Sequence, residues 1–158
     1  MEPDRAARDA AMARLEAFIG EWVIEARFPN GYGGSGRAVF EWALDRQFLV
    51  CRTEVPGGPP DGLMIMGYDP GRMPYCQHYF DSRGVARVYA MNLSDGVWTL
   101  LRDSADFTPL DFAQRYTGTF AADGRRIEGR WESAQDGTTW ELDFHLSYTK
   151  VKNDSLGH

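Results

Sequence analysis

Few side chains in this sequence can do chemistry, and those few lie in strand-like stretches. His78 stands in Tyr75-Cys-Gln-His-Tyr-Phe80, two residues from both Cys76 and Phe80. In an extended chain those three side chains share one face, and the character of Cys76 and Phe80 predicts that His78 points inward. An interior imidazole has two uses here. It can complete a hydrogen bond with Tyr89 or Gln114 as a core histidine, or it can serve as an acid–base group or ligand donor halfway up a pocket wall. Tyr89 and Tyr116 are its candidate companions in proton transfer. Arg87, if it faces inward near a mouth, suits a carboxylate or phosphate; a surface ion pair is the alternative. His145 alternates with Glu141 and Asp143, the polar side of its strand. Three histidines, one of them terminal, and the distant Cys51 and Cys76 do not make a zinc set. A GxSxG elbow is also missing. Gly33-Gly34-Ser35-Gly36 opens a strand rather than a helix, so it lacks the setting that cradles phosphate.

The elements that must position these residues are strands. Residues 4 to 18 read as one helix, with Asp4 as its cap and Met12, Leu15, Phe18 and Ile19 as an apolar stripe. Ten strand-like segments follow, from about residue 20 to 151, separated by turn chemistry such as Asp69-Pro70-Gly71, Arg83-Gly84, Asp95-Gly96, Asp123-Gly124 and Asp136-Gly137. Gaps this short make neighbours antiparallel, and closing the meander removes its exposed edges. The prediction is an all-β fold: a ten-stranded antiparallel up-and-down barrel with a short N-terminal helix closing the base. It forms a single domain over 1–152, and residues 153–158 are expected to be a disordered tail.

The connections sort by end. Pro29–Ser35, Pro56–Asp61 and Ser104–Asp111 are long and fall on one end of the meander, while the tight turns fall on the other. That describes a cup with a mouth and a sealed base. Faces follow from alternation: Ala38, Phe40, Trp42 and Leu44 inward on the second strand; Phe112, Gln114, Tyr116, Gly118 and Phe120 on the eighth; Trp140, Leu142, Phe144, Leu146 and Tyr148 on the tenth. Ten strands leave room for a ligand where eight can be filled by side chains. The expected pocket wall is Phe40, Trp42, Met66, His78, Tyr89, Gln114, Tyr116 and Phe144, with Phe107 and Leu110 on a portal loop.

Composition bounds the partners. The chain has 158 residues, a net charge of −6 and 13% aromatic residues. An acidic balance argues against nucleic acid and anionic membrane surfaces. No apolar run approaches the ~18 residues of a spanning helix, and the charged N-terminus is unlike a signal peptide. A cytoplasmic protein with free, buried thiols is expected. Leu63-Met-Ile-Met-Gly-Tyr68 is apolar on both faces, so one face can line the pocket and the other suggests a homodimer contact.

A helix, then Gly20-Glu21-Trp22 opening the first strand, and Lys150 in the last strand together resemble the calycin superfamily, which includes lipocalins, fatty-acid-binding proteins and nitrobindins. The stretches HYFDSRGVARVY, QRYTGTF, IEGRWE and TWELDFHLSYTKV also resemble a family of bacterial calycin-like barrels. The nitrobindin resemblance implies haem, with His145 of the pair His145-Leu146 as axial donor and His78 as the alternative donor; Phe144 replaces the proline usual before His145. The fold resemblance implies a binder of a small apolar or aromatic molecule. Its alternatives are a lipocalin-like isomerase or cyclase acting through His78 and Tyr116 or Tyr89, and a filled barrel serving only as an interaction scaffold.

Overall fold

Ten strands pair in sequence order in the computed structural model, which describes residues 5–57, 60–71, 74–107 and 109–152. They are β1 Gly20–Arg27, β2 Gly33–Ala43, β3 Phe48–Glu54, β4 Gly62–Tyr68, β5 Tyr75–Asp81, β6 Ala86–Ser94, β7 Val97–Arg102, β8 Ala113–Phe120, β9 Arg126–Ala134 and β10 Glu141–Lys150. Every pairing is antiparallel. β1 meets β10 from Trp22 opposite Lys150 to Arg27 opposite His145, which closes the circle. No strand keeps a free edge. Among the described residues no helix is long and apolar enough to cross a membrane.

The predicted single helix is two pieces: α1, Arg5–Ala13, and a 3₁₀ turn, Arg14–Phe18. Asp4, the expected cap, and residues 153–158 lie outside the described residues. The last turn tightens, with the Ile19 N–H donating to Glu16 O at 3.1 Å, as helix ends often do. It brings Phe18 to the barrel axis. The Phe18 ring lies 5.2 Å from Phe40, 4.8 Å from Trp98 and 5.3 Å from Phe120, centroid to centroid. The base is further tied by the Tyr75 hydroxyl donating to Ala11 O at 2.5 Å and by the Trp22 indole N–H donating to Phe18 O at 2.8 Å. Fully burying aromatic side chains contributes about 2 kcal/mol each, and here they seal one end of the tube.

Gly20 has a concrete reason to be glycine. Its φ is +127°, and an added Cβ would sit 3.2 Å from Lys150 Cε. Lys150 in turn holds its ammonium 5.3 Å from the centre of the Trp22 ring, a cation–π contact.

Two expected faces need correction. A β-bulge between Leu142 and Phe144 shifts the register of β10 against β9, so the alternation changes phase there. Phe144, Leu146 and Tyr148 face inward as predicted, but Leu142 is exposed, and Trp140 lies outside under the Arg115 guanidinium at 4.1 Å. Leu44 stands in the β2–β3 turn, 75% exposed. Cys51 is buried and Cys76 half-buried, and neither is in a disulfide.

Candidate functional site

The barrel interior divides by height. Its lower half, toward the helix, is solid: Phe18, Trp22, Phe40, Leu49, Met66, Tyr75, Trp98 and Tyr116 are fully buried there. Its upper half holds a cavity of about 420 Å³, within the range of small-molecule sites. The cavity opens among the ends of β1 and β3, the starts of β2 and β4, the β5–β6 turn and the start of β10, the end predicted to carry the long loops.

One arc of its wall is apolar. Ile24 and Ala26 come from β1, Phe144 and Leu146 from β10, and Trp131 from β9; Phe28 stacks on Phe144 at the rim with ring centres 4.8 Å apart. Gly34 and Gly36 on β2 leave room beside them. The opposite arc is polar: Gln77 and Tyr79 on β5, Arg87 and Tyr89 on β6, and Gln114 on β8. Gln114 Oε1 accepts from Arg87 Nη1 at 3.1 Å and from the Tyr89 hydroxyl at 3.2 Å. The Tyr79 hydroxyl donates to Asp81 Oδ2 at 2.8 Å, and Arg83 closes on the same carboxylate. Burial pushes the Asp81 carboxyl up, but the hydrogen bonds from Arg83 and Tyr79 outweigh it and hold the group at about 2. Burial raises the phenols of Tyr79, Tyr89 and Tyr116, so at neutral pH they are donors and not bases.

The predicted site residues separate on this geometry. Tyr89, Gln114 and Phe144 line the cavity, and Arg87 joins them. Phe40, Met66 and Tyr116 belong to the packed base. The Tyr116 hydroxyl there donates to Leu146 O at 3.0 Å, inside space that Gly118 and Gly129 leave open. Trp42 is lower still, donating to Glu16 Oε2 at 2.9 Å beneath the helix. His78 faces outward, contrary to expectation. Tyr75 and Gln77 are the buried face of β5, while His78 stacks on Phe80 and approaches Phe107 outside, each at 6.4 Å between ring centres. The residues Tyr75 to Phe80 are bulky on both faces, so alternation alone does not say which one is in. Phe107, expected at the portal, therefore covers the outer face of β5 and is 62% exposed.

His145 is exposed on the outer face of β10, as its polar neighbours predict. Among the described residues no imidazole lines the cavity. A histidine-ligated haem does not fit these residues.

Gln77, Tyr79, Met64, Trp131 and Asp143 line the cavity without having been singled out from sequence. The first two were hidden by the face ambiguity of β5, and Asp143 by the bulge that turns it from the outer face to the cavity rim. Loss of water around Asp143 raises its carboxyl above the ordinary range. An acid whose folded value is raised binds its proton more tightly when folded, so its ionisation lowers stability as pH rises through that range. Asp143→Asn should therefore leave stability unchanged below about pH 4 and raise it at pH 7; urea titrations at the two pH values would read the difference, and equal shifts at both would count against it.

No family model matches this chain. No curated protein matches it either. Among solved structures, the crystal structure of Rv2717c from M. tuberculosis aligns with a TM-score of 0.56 at 13% identity, covering 90% of this chain and 98% of that one. The likeness is one of fold. This chain's barrel is closed, antiparallel and plugged at its base by the helix, an architecture compatible with ligand binding.

Proposed function

We propose that the protein binds one small apolar or aromatic molecule in the upper half of the barrel. The observation that carries this reading is the division of the interior: a close-packed aromatic floor under a hollow of about 420 Å³ with an apolar arc and an open mouth. A tube without function would be filled to the top, because unfilled apolar space forfeits dispersion contacts. The polar arc gives such a ligand its orientation, since a few placed donors and acceptors against apolar walls are what small-molecule sites use.

Anilinonaphthalene sulfonate, whose emission rises on leaving water, should bind with one molecule per chain. Saturation at about 100 times its dissociation constant should add roughly 2.7 kcal/mol to stability. Ala26→Trp places an indole into the hollow from β1 and should weaken that binding at least about tenfold while the far-ultraviolet dichroism stays that of the barrel. Unaltered affinity in Ala26→Trp, or no binding by the parent protein, would overturn the reading.

A further inference from the structure

Two opposite formal charges face the cavity without a charged partner. Arg87, on β6, gives one hydrogen bond to Gln114 and lies with its guanidinium 5.9 Å from the Phe112 ring centre. Among the described residues no carboxylate pairs with it. Arg83, the other cavity cation, differs, because its guanidinium is held on Asp81 at 2.8 Å. Asp143, on the β10 bulge, lines the cavity with neither a hydrogen bond nor an ion pair among the described residues. In the strand order β6 and β10 are separated by β7, β8 and β9 one way and by β5 to β1 the other, so the two charges stand on opposing arcs. Along the shorter way the wall between them carries Trp131 on β9, and Phe144 adjoins Asp143 in the chain. The same void meets Gln77, a buried side chain whose amide oxygen has no partner among the described residues.

We propose that the ligand is bipolar: a flat aromatic body with an acidic group that pairs with Arg87 and, at its far end, an amine that pairs with Asp143. Such a ligand presupposes that the cavity is the binding site proposed above. The physical reason is desolvation. A guest that fills the cavity expels the water that solvates Arg87 and Asp143, and a charge stripped of water without a partner is strongly disfavoured. A neutral aromatic guest strands both groups. A simple aromatic acid satisfies Arg87 but still strands Asp143, whose carboxyl already feels the loss of water. Only a molecule with both ends returns a partner to each. The guanidinium fork suits a carboxylate geometrically, and a carboxylate accepts readily from an ammonium.

Four naphthalenes test this by calorimetry on the full chain: naphthalene, naphthoic acid, naphthylmethylamine, and an aminomethyl-naphthoic acid with its two groups at opposite ends of the ring system. The bipolar compound should bind at least about tenfold more tightly than either singly charged one. Arg87→Met should abolish the advantage conferred by the acid, and Asp143→Asn the advantage conferred by the amine. Naphthalene itself should bind both variants at least as well as the parent, which shows that the cavity is intact in each. Equal affinity of the bipolar compound and the plain acid, or of the bipolar compound and naphthalene, overturns the two-pole proposal while leaving the cavity a binding site. Failure of all four to bind the parent overturns the cavity reading and this proposal with it.

Discussion

Asp106→Ala should cost the barrel about 3 kcal/mol, measured as the fall in unfolding free energy by urea titration. The loop after β7 turns back so that Asp106 receives Arg102 Nε at 2.8 Å on one oxygen and Nη2 at 3.0 Å on the other. The Val88 N–H donates to the same carboxylate at 2.9 Å. The β6–β7 ladder ends at Ala90 opposite Leu101, so Asp106 supplies the acceptor that a longer β7 would have given Val88. The two charged side chains are only 3% and 5% exposed. Removing Asp106 takes from the buried guanidinium and the Val88 amide the carboxylate they share, and breaking a buried ion pair by deleting one member carries a large penalty in mutational data. Replacing both charges, as Arg102→Met with Asp106→Leu, should recover much of the loss. A fall of less than about 1 kcal/mol in Asp106→Ala would mean that water reaches the pair in solution and that the loop is not pinned there.

The strands were legible because their punctuation is chemical. Asp-Gly and Asp-Pro-Gly pairs cannot sit inside a ladder, so each marks a reversal, and reversals this close force a meander. The inward faces of β2 and β8 were legible for a related reason: Ala38, Phe40 and Trp42 oppose charges, and Gln114, Tyr116 and Gly118 oppose Arg115 and threonines. β5 carries no such contrast. Cysteine and phenylalanine are more often buried than glutamine, and that preference pointed to the wrong side. The register decides it instead, since Gln77 pairs beside Met66 and Tyr89, both interior. β10 shows the other limit, a bulge that no residue type announces.

The candidate site was half legible. Alternation says whether a side chain faces in, but not how far up the tube it lies. Phe40, Met66 and Tyr116 do point inward, yet they stand toward the tight-turn end where the floor is packed, whereas Tyr89, Gln114 and Phe144 stand toward the long loops. Counting residues along each strand does not separate the two groups, since Tyr89 and Tyr116 each stand fourth in their strands and Met66 pairs with Gln77. What the count could not supply is the depth of the floor, because that is set by a side chain from outside the sheet.

That side chain is Phe18, and Phe18→Ala should destabilise the protein by roughly 3–5 kcal/mol. Its ring is fully buried and meets Phe40, Trp98 and Phe120 within 5.3 Å of centroid separation. Truncation removes the transfer free energy of a whole ring and leaves a void that rigid strands cannot close, since each neighbour is held by its own ladder. The indole N–H of Trp22 bonds to the backbone carbonyl of residue 18 and keeps that partner in the variant, so the loss measures packing and not a broken hydrogen bond. Because the floor separates this void from the upper hollow, anilinonaphthalene sulfonate should bind folded Phe18→Ala within about threefold of the parent. A loss near 1 kcal/mol would show that the helix leaves the base open in solution. An affinity change larger than tenfold would show that floor and cavity are one mechanical unit, with the helix acting on the ligand through the aromatic stack.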